Sequence, residues 1–271
     1  MLVTGASSGI GRKVTERLAK SDYFVYAGAR RSRDLHELGA IDNVQPLRLD
    51  VTSQEDIQNA ARMVNDGEFG LYGLVNNAGV LAFGTAIDTS DAEFDSVMMV
   101  NVYGPYRMTK AFAPLITSEK GRIVMISSMA GILADQKFCA YSMSKHALEA
   151  LTDCLALQLE ALGVGVSAVE PGVFRTAICE NTAKRVGFNF PMPDLSAFEE
   201  PDDVATAVET ALSSPKPQRR YLVVSNRDQA EATIRRQFTQ LVQLNEKHRY
   251  TYSRAELVKI LDETLTCKTS L

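Results

Sequence analysis

Tyr141 and Lys145 stand four positions apart in "AYSMSK" (140–145), a stretch with helical character. On a helix, residues at i and i+4 share one face with Cβ atoms about 5–6 Å apart. A phenol ordinarily titrates near pH 10, and a nearby cation lowers that value toward the working range of a general acid or base. A surface helix on which a tyrosine lies along a lysine stem would show the same spacing. A second group of residues suits anion binding. In "VTGASSGIGR" (3–12), Gly5, Gly9 and Gly11 are spaced G-x-x-x-G-x-G between an apolar run and a helical pattern. This departs from the G-x-G-x-x-G dinucleotide fingerprint, yet it offers the same physics: a tight turn, close backbone approach and a helix N-terminus aimed at phosphate. An ordinary glycine-rich strand-helix turn is the alternative.

About 20 residues beyond these glycines, an NAD site presents an acid to the ribose 2′-hydroxyl, whereas an arginine suits a 2′-phosphate. Here "YAGARRS" places Arg30 and Arg31 after Ala29. Guanidinium groups pair with phosphate through two hydrogen bonds, so NADP(H) is favoured over NAD(H). The competing reading is a solvated basic pair, with Asp34 close by.

Positioning such groups requires strands and helices in alternation. Apolar, β-rich runs occur at "MLVT", "YFVYAGA", "VQPLRLDV", "LYGLVNNAG", "RIVMISS", "VGVSAVEP" and "RYLVV". Helical patterns lie between them near 10–20, 53–66, 91–117, 140–162 and 201–213. The alternation predicts an α/β fold whose parallel sheet of about seven strands carries helices on both faces. Thr52 with Glu55, Ser90 with Glu93, and Ser253 with Glu256 match the capping-box spacing. Segment 175–200 is the least regular, with two prolines in "FNFPMPDL". Two further helical patterns follow at 228–247 and 253–265, with Phe238, Leu241, Ile260 and Leu261 on their apolar stripes. The expected organisation is a catalytic domain over 1–226 and a helical extension over 227–271 packed on it.

Composition narrows the function classes. The 271 residues are 45% hydrophobic and 23% charged, with a formal charge of −4, so no basic field invites nucleic acid or an anionic membrane. No apolar run approaches the roughly 18 residues of a membrane span. The start lacks the basic flank and long apolar stretch of a signal peptide, and the four scattered cysteines fit reduced thiols in the cytoplasm. No histidine or cysteine spacing suggests a metal.

Taken together and in order, "TGASSGIG" (4–11), "LDV" (49–51), "NNAG" (76–79), Asn101 in "VNVYG", Ser128 in "ISSMAG", "YSMSK" (141–145) and "PGVFRT" (171–176) resemble the motif series of the short-chain dehydrogenase/reductase family. "YGLVNNAGV" and "VEPGVFRT" are similar to its branch of retinol and 17β-hydroxysteroid dehydrogenases. The resemblance implies a doubly wound Rossmann fold and a catalytic tetrad of Asn101, Ser128, Tyr141 and Lys145. In it, Tyr141 exchanges a proton with the substrate oxygen, Ser128 holds that oxygen, Lys145 lowers the phenol pKa and meets the nicotinamide ribose, and Asn101 anchors a water.

The same resemblance assigns the cofactor to Gly5, Ser7, Ser8, Gly9, Ile10 and Gly11 in the loop, to Asp50 and Val51 near adenine, and to Asn77, Ala78 and Gly79 along the ribose. It adds Pro171, Gly172, Val173 and Thr176, the last meeting the nicotinamide amide. A hydrophobic ketone, aldehyde or alcohol follows, with Phe83, Met129, Met143, Phe174, Phe188 and Phe190 as candidate pocket residues. A homodimer or homotetramer through helices 91–117 and 140–162 is the implied assembly. The first strand has few residues before Gly5, so it is unusually short or a longer start precedes it. A dinucleotide-binding regulatory protein on the same fold is the rival, although such a protein would be expected to have lost part of the tetrad.

Overall fold

The computed structural model describes residues 1–186, 194 and 198–266. They divide into two compact units, Met1–Asn226 and Arg227–Leu271. The first unit is built on strands β1 (Leu2–Val3), β2 (Val25–Ala29), β3 (Val44–Arg48), β4 (Gly73–Asn76), β5 (Arg122–Ile126), β6 (Gly165–Pro171) and β7 (Arg220–Val223). They form one seven-stranded sheet in the order β3-β2-β1-β4-β5-β6-β7, every pairing parallel.

Strand side chains alternate faces, and in this sheet both faces are apolar. Val3, Val75, Val124 and Val169 point to one layer, where they meet Val14 and Leu18 of α1 (Gly9–Lys20) and Val204, Val208 and Leu212 of α8 (Asp202–Ser213). Their neighbours Leu2, Leu74, Ile123 and Val166 point the other way. There they meet Ile57 of α3 (Gln54–Asn65), Phe112 and Ile116 of α5 (Gly104–Ser118) and Leu148 of α6 (Cys139–Leu159). The chain runs from β1 outward to β3, then returns to β4 beside β1 and continues outward to β7. The order therefore reverses between β1 and β4, and open α/β sheets bind ligands in the crevice beyond the strand ends at such a reversal.

Several local features differ from the reading of the sequence. Helix α2 (Ser32–Gly39) was not anticipated: it is short and polar, and Leu38 is its buried residue, too little for a periodic stripe. The cap of α3 is Ser53, whose Oγ accepts from Asp56 N at 3.2 Å, one position beyond the expected Thr52 with Glu55. Thr52 instead donates from N and Oγ1 to the Asp50 carboxylate at 2.9 and 2.7 Å. Finally, the long helix expected over 91–117 is α4 (Asp91–Met98) and α5 joined by a π turn over Met99–Tyr103. Such widened turns inside helices are frequent at functional sites, and Asn101 lies at the centre of this one. Helix α7 (Ile178–Val186) occupies part of the segment expected to be irregular.

The second unit contains α9 (Arg227–Leu244) and α10 (Arg254–Thr266). Asn245 closes the turn between them, donating to Tyr252 O and accepting from Tyr252 N, both at 2.8 Å. Ser253 and Glu256 make the full reciprocal cap: Ser253 N donates to Glu256 Oε2 at 2.7 Å and Glu256 N donates to Ser253 Oγ at 3.3 Å. Among the described residues, no helix is long and apolar enough to cross a membrane.

Candidate active site

At the end of β1 the chain turns through Gly5 and Gly9, both with positive φ (65° and 55°), a region glycine enters without Cβ strain. Gly11 is required for a different reason. A Cβ there would fall 2.3 Å from Gly5 O and 2.4 Å from Asn77 Nδ2, so the loop closes tightly on the first turn of α1. Asn77 Nδ2 donates to Thr4 O at 2.8 Å and Gly5 O at 3.1 Å, tying the end of β4 to the loop. Thr4 completes the clamp by accepting from Asn77 N and Ala78 N, both at 2.9 Å. Sequence reasoning passed over Thr4; Asn77, expected along the ribose path, ties its amide to the loop. Ser8 is exposed in extended conformation and makes no side-chain cap, so α1 opens with its first-turn donors uncapped by a hydroxyl. Ser7 and Ile10 flank it, both half-buried. Thr176 faces Gly9, its Cβ 3.4 Å from where a Gly9 Cβ would lie. A cradle closed to side chains, with a helix start at its rim, fits the pyrophosphate of a dinucleotide.

Arg30 directly follows β2 and Arg31 is the N-cap residue of α2, both exposed. Arg30 Nη1 lies 3.7 Å from Asp50 Oδ2. Burial pushes the Asp50 carboxyl up, but the two Thr52 hydrogen bonds and the Arg30 charge outweigh it and hold the group below its ordinary value. Val51 is buried against the start of α5 at Gly104. Gly79 lies beside Asn101 and Lys145, whose polar atoms approach within 3.5 and 3.8 Å of its would-be Cβ.

Beyond β5, Ser128 caps a short 3-10 turn over Met129–Gly131, its Oγ accepting from Ala130 N at 3.1 Å and donating to Pro171 O at 3.4 Å. The Ser128 hydroxyl also hydrogen-bonds the Tyr141 phenol. One turn along α6, the buried Lys145 ammonium donates to Ile126 O at 2.8 Å and lies 5.6 Å from the Tyr141 ring centroid. The phenol pKa does not move as the sequence suggested. Burial pushes it up to about 12, the Ser128 bond offsetting only part of this and the nearby Cys179 thiol adding to it. Burial likewise draws Lys145 down to about 8, against support from Glu149. The lysine faces the tyrosine ring and is held by a carbonyl, while withdrawal from water penalises the charged form of both groups.

Asn101, buried in the π turn, accepts from Val80 N at 2.8 Å and donates to Val80 O at 2.9 Å and Ser144 Oγ at 3.0 Å. Ser144 in turn donates to Tyr141 O at 2.7 Å. The Asn101 side chain is thus engaged by protein on both its amide atoms, fixing the strand-end loop to α6.

Around this centre, Phe83 packs against Phe138 with ring centroids 5.3 Å apart, and Met143, half exposed, lies 3.9 Å from Cys139 through sulfur. Met129 is partly buried on the 3-10 turn. Phe174 is a correction: it is buried in the core layer of α1 and α8, so its ring is structural. Phe188 and Phe190 lie outside the described residues. Gly172 N donates to Val223 O at 2.8 Å, fixing the β6 exit beside the exposed Val173. Phe138, Cys139 and Cys179 were missed, although the first two are the N-cap and first residue of the tyrosine helix. Among the described residues, no cluster of histidine, cysteine and carboxylate side chains could hold a metal.

A family model described as short chain dehydrogenase matches residues 1–187. The chain is 40% identical over 187 residues to the mitochondrial D-beta-hydroxybutyrate dehydrogenase of Bos taurus, covering 65% of this chain and 54% of that protein. It is 37% identical over 184 residues to retinol dehydrogenase 5 of Mus musculus, covering 66% and 57%. The chain thus spans little more than half the length of these curated relatives. A short chain dehydrogenase from Burkholderia cenocepacia J2315, solved in complex with NADP, superimposes with a TM-score of 0.69 at 27% identity over 85% of this chain and 89% of that one.

Proposed function

The chain belongs to the short-chain dehydrogenase/reductase family, and on that premise we propose that it is an NADP(H)-dependent oxidoreductase interconverting an apolar ketone or aldehyde with its alcohol. The observation that carries the reading is the Ser128–Tyr141 hydrogen bond, with the Lys145 ammonium one helical turn along and beside Gly79. A bound nicotinamide dinucleotide would supply or accept the hydride. The protein's part is the proton. A phenol pushed up to about 12 is protonated at neutral pH, so Tyr141 enters carbonyl reduction as a ready donor to the substrate oxygen. Ser128 hydrogen-bonds the same oxygen as charge develops on it. Lys145, still largely ammonium below pH 8, supplies positive charge beside the ring and a donor toward the cofactor ribose. Asn101 fixes the backbone at Val80 and, through Ser144, the carbonyl of Tyr141 itself.

The basic pair supports NADP(H). Arg30 and Arg31 are exposed beyond β2, where a 2′-phosphate would lie, and a structural neighbour of this chain holds NADP. Charge-assisted hydrogen bonds contribute about 1.5–3 kcal/mol each. The double variant Arg30→Ala/Arg31→Ala should therefore weaken NADPH roughly 10-fold or more while leaving NADH within about twofold, as measured by fluorescence titration. Equal losses for both cofactors would remove the 2′-phosphate assignment.

Met129 on the turn after Ser128, Phe138 and Met143 at the start of α6, and Phe83 packed on Phe138 support an apolar substrate body. The curated relatives are named for both a small hydroxy acid and a retinoid, so the test panel spans both. NADPH oxidation against steroid ketones, retinal, aliphatic ketones and 3-oxo acids should show higher kcat/KM on the apolar members. Preference for the 3-oxo acids would overturn the substrate class and keep the activity. Exposed Tyr103 and Tyr106 at the start of α5 and Leu157 on α6 support self-association through these helices.

A further inference from the structure

Behind Lys145 lies a cluster that the proton transfer does not use. Glu149 follows Lys145 by one turn of α6 and Asp153 by two, while Glu170 reaches in from β6 and Arg220 from β7. The single Arg220 guanidinium serves three carboxylates: Nε lies 3.2 Å from Glu149 Oε2 and 3.3 Å from Glu170 Oε1, and Nη2 lies 2.8 Å from Asp153 Oδ2. Glu170 and Glu149 are both buried, at 2% and 8% exposure. Glu149 Oε1 and Glu170 Oε1 have no hydrogen-bond donor, although the two carboxyls are within hydrogen-bonding reach of each other. Two carboxylates so placed cannot both stay ionised cheaply, whereas one proton between them satisfies an oxygen on each side. Gly131 makes the arrangement possible. Its missing Cβ would stand 3.0 Å from Glu149 Cγ and 2.9 Å from Ser127 Oγ, so Glu149 lies directly against the turn that carries Ser128.

We propose that Glu149 and Glu170 hold one proton between them and that this singly charged pair is a positioning element for the Lys145 ammonium. The inference rests on the proposed role of Lys145 but concerns groups that touch neither substrate nor cofactor. The ionisable side chains acting on the pair are Asp153 from α6 and Arg220 from β7, with Lys145 on its far side. Burial first, and then repulsion from Glu149, push Glu170 far above the ordinary carboxyl range, with Arg220 opposing them. Glu149, on the face of α6 that it shares with Lys145, supports the buried ammonium. The sign follows: removing the Glu149 charge lowers the pH at which Lys145 gives up its proton, whereas neutralising Glu170 mimics the state already present.

Two readouts independent of turnover test this. Infrared spectra of the wild-type protein at neutral pH should contain the C=O stretch of a buried protonated carboxylic acid, lost in Glu170→Gln. Carbon NMR of labelled lysine, with the Lys145 resonance assigned by its loss in Lys145→Arg, should show the titration midpoint falling by about one pH unit in Glu149→Gln and much less in Glu170→Gln. A wild-type protein without the protonated-acid band overturns the proposal, and this measurement needs no variant to fold. An unmoved Lys145 midpoint in a folded Glu149→Gln protein overturns it equally. Failure of the catalytic reading would appear elsewhere, as an active Tyr141→Phe protein with an intact acid band.

Discussion

Gly11→Ala should abolish measurable dinucleotide binding and destabilise the fold by about 1–3 kcal/mol, toward the upper end, because the introduced methyl meets backbone. The added Cβ would stand 2.3 Å from Gly5 O and 2.4 Å from Asn77 Nδ2. Neither can yield easily. Gly5 O is fixed in a positive-φ turn, and Asn77 Nδ2 is committed to Thr4 O and Gly5 O. Relief requires moving α1 away from the loop, which opens the cradle and breaks the Thr4–Asn77 clamp at once. Gly9→Ala is the control, since its Cβ would meet only Thr176 at 3.4 Å and its cost is confined to backbone strain at φ 55°. Urea denaturation and NADPH fluorescence titration measure the two effects. Wild-type affinity in Gly11→Ala would show that the loop is looser than its contacts imply.

Why the cradle and sheet were legible in the sequence, and other parts were not, follows from the range of the interactions involved. A parallel sheet covered on both faces leaves continuous apolar runs, and all seven strands lie within those runs. The spacing that places Ser128 near Tyr141 is likewise written in order along the chain. Helix α2 escaped because a single buried leucine does not make a period, and Ser53 escaped because Thr52 and Ser53 are equally good caps until Asp50 claims Thr52. The π turn at Asn101 depends on its bonds to Val80 and Ser144, residues 21 and 43 positions away. Phe174 read as a pocket aromatic but completes the α1–α8 layer. The direction of the Tyr141 shift was misread for a related reason. A lysine four residues away is visible in sequence, whereas the burial that outweighs it is a property of the folded site. Glu149, Glu170 and Arg220 meet from a helix and two strands, and no local pattern announces them.

Tyr141→Phe should lower kcat by about 10²- to 10⁴-fold, the usual contribution of a positioned general acid, while NADPH affinity stays within about twofold. The ring would remain to pack against Lys145, and the ammonium would keep its bond to Ile126 O. Only the hydroxyl is lost, and with it the partner of Ser128 and the proton for the substrate oxygen. Lys145→Ala differs in kind, because it removes the charge beside the ring and the proposed ribose contact together, and both kcat and affinity should fall. The most direct measurement is a single-turnover experiment in which wild type and Tyr141→Phe, each preloaded with NADPH, are mixed with the carbonyl the wild type reduces best. Rapid NADPH oxidation in the wild type and a rate at least about 100-fold slower in an equally loaded Tyr141→Phe protein is the predicted result. Equal rates in the two proteins would contradict the role assigned to Tyr141 and, with it, the chemistry proposed for the site.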